Sequence, residues 1–147
     1  MTDLSDNEQE LARELRKRSG TLMDSNQKLQ SAAHHQMCVL LKKRYSSKLH
    51  YIIKESAELE HSIGSIYSLL EHPSKPMFNL LHTDLAGFEE QIKQMEEQHD
   101  KLCVTYAKTM IEAHAERSST DNVDMNTRSK DNENDAAYQM TVALQYN

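Results

Sequence analysis

Residues 45–70 read YSSKLHYIIKESAELEHSIGSIYSLL. Tyr45, Leu49, Ile52, Ser56, Leu59, Ile63, Ile66 and Leu70 follow one another at spacings of 4, 3, 4, 3, 4, 3 and 4. Seven of these eight are apolar. A repeat averaging 3.5 residues puts them on one stripe of a helix, so the stretch predicts a helix that packs through a single seam. Working downstream, Leu81, Leu85, Phe88, Ile92, Met95, His99, Leu102, Tyr106, Thr109 and Ala113 repeat the same alternation. Between the two stripes lies His72-Pro73-Ser74-Lys75-Pro76. Pro73 has no N–H and disfavours helix at His72, and Pro76 suits the first turn of a new helix.

Upstream of Tyr45 the pattern weakens. Leu4, Leu11, Leu15, Leu22, Leu29, Ala32 and Val39 fit one register, with Glu8, Arg18, Ser25 and Gln36 in its remaining positions. That register is one residue out of phase with the later one, and the mismatch at Cys38–Tyr45 predicts a local kink. Ser5 with Glu8 reads as a capping box. Gly20 and Asp24-Ser25-Asn26 suggest a break near 19–26. The expected organisation is a first coiled-coil helix over 1–71, a Pro-containing turn at 72–76, a second coiled-coil helix over 77–117 and a disordered tail over 118–147. The tail is polar through Asn134, and only residues 136–147 turn apolar again. The fold class is all-α: two long helices in an antiparallel hairpin, with a straight rod as the rival geometry.

Composition agrees. Three Gly and two Pro in 147 residues fall far below the average of about 12%, which excludes turn-rich sandwiches and barrels. Apolar types make up 37%, too few for a thick core. The net charge of −6 gives no bulk attraction to nucleic acid or anionic lipid. Charge is nonetheless segregated. Residues 21–50 carry five bases against Asp24, a net +4, while 77–117 carry eight acids against four bases, a net −4. Folding the chain about Ser74 sets Lys48 near Asp100 and Lys54 near Glu96, which favours the antiparallel arrangement.

Candidate chemistry is sparse. His34, His35 and Cys38 share a helical turn, as do His99 and Cys103, but neither group reaches the four ligands of a structural zinc site. Two cysteines make no disulfide framework. No phosphate loop, HExxH or GxSxG pattern occurs. The expectation is therefore no enzyme, no cofactor, no metal and no small-molecule substrate. Basic clusters at Arg13–Arg18 and Lys42–Arg44 leave a nucleic-acid-binding coiled coil as an alternative. The acidic N-terminus, Met1–Asp6, and the lack of a long apolar run predict no secretory signal and no transmembrane segment.

From Thr21 to Leu70 the chain resembles the KxDL family of small coiled-coil subunits. Asn26, Leu29, Ser31-Ala32-Ala33 and Gln36-Met37 stand in the family's order. Its Lys-x-Asp-Leu signature falls on Ser56-Ala57-Glu58-Leu59, followed by Ile66 and Leu69; Ser56 stands where the family has Lys. The resemblance implies a subunit of complexes that build or position lysosomes and related organelles, cytoplasmic or peripheral on those membranes through its partners.

Two helices hide little of their stripes from water, so partner helices are expected to complete the structure, as a homo-oligomer or within a hetero-complex of other coiled-coil proteins. Leu49, Ile52, Leu59, Ile63, Ile66, Leu70, Leu81, Leu85, Phe88, Ile92, Met95 and Leu102 are the expected partner-packing seam. Ser56 and His99, polar inside apolar stripes, are the expected determinants of register and partner choice. The function these features suggest is a non-enzymatic scaffold or adaptor; a cytoskeletal or kinetochore adaptor would use the same repeats.

Overall fold

The computed structural model describes residues 4–121, with side chains through Arg117. The chain forms four helices, α1 (Asp6–Val39), α2 (Lys43–Leu69), α3 (Lys75–Leu81) and α4 (Leu85–Asp121), with no strand among the described residues. The three long helices pack on one another as an up-down-up bundle. Arg16, Gly20 and Asn26 of α1 meet Glu71, Tyr67 and Ser56 in turn at and along α2, which sets that pair antiparallel. Arg18 and Asn26 meet Glu96 and His99 of α4, so α1 and α4 run parallel. Lys48 meets Glu112, so α2 and α4 are antiparallel. At 1.5 Å per residue the 34-residue α1 is about 51 Å long.

The expected first helix over 1–71 is thus two helices. The break lies at Leu40–Lys42, where Leu40 and Lys42 adopt extended backbone, and the chain reverses there instead of kinking. Neither Gly nor Pro marks the turn. Burial of both seams outweighs the helix propensity of the connecting residues, and the phase mismatch near Cys38–Tyr45 is where the stripe changes sides. The capping box at Ser5–Glu8 is present, but α1 runs unbroken through 19–26. Gly20 there serves packing: a Cβ would lie 3.1 Å from the Tyr67 ring, which Arg16 covers from 4.4 Å.

The expected second helix is also divided. Ser74 caps α3, its Oγ accepting from Met77 N–H, and Pro76 lies in the first turn. His82 ends α3 in the left-handed region, φ 55°. Asp84 Oδ1 then accepts from Gly87 N–H and starts α4. A Cβ on Gly87 would clash with the Thr83 hydroxyl, so this glycine leaves room for that side chain in the capping turn. The short α3 closes one end of the bundle, with Phe78 buried 5.9 Å from the Phe88 ring. The register also differs from a simple fold about Ser74. Lys48 pairs with Glu112 rather than Asp100, and Glu96 pairs with Arg18 of α1 rather than with Lys54.

Supplying the third helix from the same chain changes the role of the seam. Of the twelve residues expected to face a partner, eleven are buried within the chain, and only Leu81, 42% exposed, is not. The stripe of α1 is likewise internal, but in another register. Ala12, Leu15, Ser19, Leu22, Asn26, Leu29, Ala32 and Ala33 are buried, which keeps the three leucines and Ala32, adds Ala33, and replaces Leu11, Arg18 and Ser25 by their next neighbours as the seam positions. Small residues at seven-residue intervals let α1 approach its neighbours closely. Helix α4 continues past the expected end at Arg117 to Asp121; the rest of the expected disordered tail, 122–147, lies outside the described residues.

Ile63 is fully buried. Ile63→Asp places an unpaired carboxylate in the core, and the isolated chain is expected to lose several kcal/mol of stability in denaturant melts. Lys101→Asp, on the exposed side of α4, should change stability by under about 0.5 kcal/mol. Equal effects would contradict the packing. At His82 the left-handed backbone favours glycine, and His82→Gly is expected to raise stability by about 1 kcal/mol.

A polar layer across the three helices

The two polar seam residues singled out in the sequence, Ser56 and His99, come together in one layer, and Asn26 joins them. All three are buried. Asn26 Nδ2 donates to the Ser56 carbonyl at 2.7 Å. Its Oδ1 accepts from His99 Nδ1, 3.2 Å away. That bond fixes the tautomer: Nδ1 carries the proton, and Nε2 of the neutral ring is an acceptor. Ser25 Oγ, 3.0 Å from Nε2, donates to it, and Cys103 Sγ lies 3.4 Å from the same nitrogen. The Ser56 hydroxyl turns back to the Ile53 carbonyl at 3.0 Å. Each long helix therefore contributes a polar seam residue at the same height, with Leu22 and Leu29, Ile52 and Leu59, and Met95 and Leu102 as the buried seam neighbours on either side.

Asn26 was missed in the sequence because the upstream register placed Ser25 in the seam. The signal was the seven-residue series Ala12, Ser19, Asn26, Ala33, interleaved with Leu15, Leu22 and Leu29. This series is uniformly small or uncharged, whereas the series through Arg18 is not.

Burial lowers the His99 pKa, opposed in part by the Asp100 carboxylate. It pushes the Cys103 thiol up to about 11, with Asp100 adding to the shift, so the thiol stays protonated and unreactive. Beside the layer an open groove of about 650 Å³ runs between α1 and α4, bordered by Lys17, Arg18, Ser25, Glu96, His99 and Asp100. Arg18 spans it, meeting Glu96 at 2.6 Å and Glu89 at 3.7 Å, and its hydrogen bond to Glu96 raises the guanidinium pKa. The other expected groups do not converge: His34, His35 and Cys38 stay apart from His99 and Cys103, Cys38 is exposed, and no three metal-ligating side chains cluster among the described residues.

A second polar cluster lies where α2 begins. Glu116 of α4 receives Lys42, Arg44 and the Tyr45 hydroxyl. The Lys42 and Tyr45 hydrogen bonds lead in bringing its pKa down to about 2. Lys48 holds Glu112 below the usual carboxylate range at 2.8 Å. These exposed pairs add little individually. Their value is positional: Arg18 binds one edge of α4, and Lys42, Arg44 and Lys48 bind the other.

In coiled coils a buried polar layer of this kind holds register and disfavours other alignments.

The histidine shift has a sign. His99 binds its proton more weakly folded than unfolded, and His114 does too, by burial and by Arg117. The unfolded chain therefore takes up more protons as pH falls through about 6.5, and stability declines below that value. The carboxylate pairs act separately, below about pH 4.5. The melting temperature should drop between pH 7 and pH 5.5. His99→Gln, which keeps a hydrogen-bonding side chain without the titration, should show a shallower drop; an identical slope would place the titration elsewhere.

No family model, no curated protein and no solved structure matches this chain, so a functional reading stands on its own residues.

Proposed function

We propose that the chain is a non-enzymatic helical scaffold or adaptor subunit of a multi-protein complex. The observation that carries this reading is the division of apolar residues between inside and outside. The bundle buries its own seams, yet Tyr51, Val104 and Ile111 remain exposed. Val104 and Ile111 are seven residues apart on the α4 face opposite Leu102, Tyr106, Thr109 and Ala113, which point inward. An apolar pair at heptad spacing on an outer face suits lateral packing of a partner's amphipathic helix. The partner surface is thus the outside of the finished bundle, and the heptad stripes themselves are its core.

The resemblance to the KxDL family supports complexes that build or position lysosomes and related organelles, with membrane association through partners. No helix among the described residues is long and apolar enough to cross a membrane. A cytoskeletal or kinetochore adaptor differs from this only in partner identity. The nucleic-acid alternative loses support, because Lys42, Arg44 and Lys48 already face Glu116 and Glu112.

Co-purification from native extract, with mass spectrometry and reconstitution of the captured subunit, tests the reading. Val104→Asp with Ile111→Asp should weaken that reconstituted binding at least tenfold and leave the melting temperature within a few degrees, while Lys101→Asp retains binding. Binding that survives the double substitution, or salt-sensitive retention on DNA in place of a protein partner, would overturn it.

A further inference from the structure

At the end of the bundle where α1 turns into α2, the last residue of α1 and the first two of the connection read Val39-Leu40-Leu41. Short helix connections are ordinarily polar or rich in Gly and Pro. Here Val39 is 46% and Leu41 81% exposed. Together with Tyr45, Ala113 and Arg117 they border a groove of about 200 Å³. That is below the roughly 300 Å³ at which small-molecule clefts begin, and it suits one or two side chains of a peptide segment.

The course of the chain nominates the occupant. Helix α4 passes this groove at Ala113–Arg117 and ends at Asp121, one turn beyond it. Residues 122–135 then separate α4 from the apolar run Ala136-Ala137-Tyr138-Gln139-Met140-Thr141-Val142-Ala143-Leu144-Gln145-Tyr146. Fourteen residues of polar chain reach about 20 Å, enough to return the run to the groove. Charge agrees with the route. Residues 121–135 hold five acids against two bases, a net −3, and the groove end carries exposed Lys43 beside Lys42 and Arg44, two cations that share the single carboxylate of Glu116. A second copy of the chain offers the same apolar run, but a short tether gives the chain's own copy an effective concentration near millimolar, well above micromolar protein.

We infer that residues 136–146 dock intramolecularly on the Val39–Leu41 turn and cover it. The docked segment shields the apolar connection and leaves the outer face of α4 to partners, so this contact is independent of the Val104–Ile111 surface.

Methyl NMR on the full chain tests it. Contacts by nuclear Overhauser effect should join Val39 and Leu41 methyls to those of Val142 or Leu144, and persist when labelled chain is diluted with excess unlabelled chain. Leu41→Ser, at a solvent-facing position, should leave the core methyl shifts in place and move the Val142 and Leu144 methyls to random-coil positions. Three outcomes would each overturn the proposal: tail methyls at random-coil shifts in the unaltered chain, contacts that vanish on isotopic dilution because they join two copies, or tail shifts unmoved by Leu41→Ser.

Discussion

Asn26 uses both ends of its amide inside the bundle, and each end is tied to a different helix. Its N–H₂ reaches the Ser56 carbonyl of α2 and its oxygen receives the Nδ1 proton of His99 on α4. Sliding any helix by one heptad would leave a buried imidazole N–H or amide without a partner, at a cost of about 1–3 kcal/mol per group. Apolar layers alone would tolerate such a slip, because leucine meets leucine or isoleucine equally well seven residues along. Vertical alignment therefore depends on this layer. The alignments of Arg18 with Glu96 and of Lys48 with Glu112 follow from it.

Lateral order has a different origin. Helix α4 presents Glu89 and Glu96 along one edge and Glu112 and Glu116 along the other. The first edge meets a single arginine of α1, the second a cluster of bases where α2 begins. Exchanging α1 and α2 around α4 would give the mirror-handed bundle and would bring these charges to the wrong edges. Each pair is too exposed to add much stability. Together they distinguish two topologies that the apolar seams treat alike, and the segregation of charge along the sequence is the trace of that choice.

The stripes at 45–70 and 85–113 were legible because seven-residue periodicity is a property of the helix itself. Ser56 and His99 stood out as polar interruptions for the same reason. What periodicity does not encode is which helix covers a stripe. Leu49, Ile63 and Ile92, expected to face partner helices, are buried within the chain because it turns back at Leu40–Lys42 and α1 becomes a neighbour of α2 and α4. That turn carries no Gly or Pro, so no local residue announced it; only the phase mismatch did. In α1 the seam falls on Ala12, Ser19, Asn26 and Ala33, where small or polar side chains carry little hydrophobic signal, and Ala12 carries less than the adjacent Leu11. Similarly, the bend at His82 is stabilised by capping on both sides of it, from Asp84 and from the end of α3, in a stretch whose heptad runs on through Leu81 without interruption.

The parallel placement of α1 and α4 has a kinetic side. Asn26 and Ser56, which join the first two helices, are 30 residues apart, whereas Asn26 and His99 are 73 apart. Closing the longer loop costs about 0.8 kcal/mol more in chain entropy, and contacts of low sequence separation form sooner. The α1–α2 hairpin is accordingly the first unit to assemble, and α4 arrives on a preformed two-helix surface. The contact α4 makes on that surface has a hydrogen-bonded imidazole rather than a hydrocarbon at its centre. Both histidines whose protonation burial disfavours, His99 and His114, lie on that last helix.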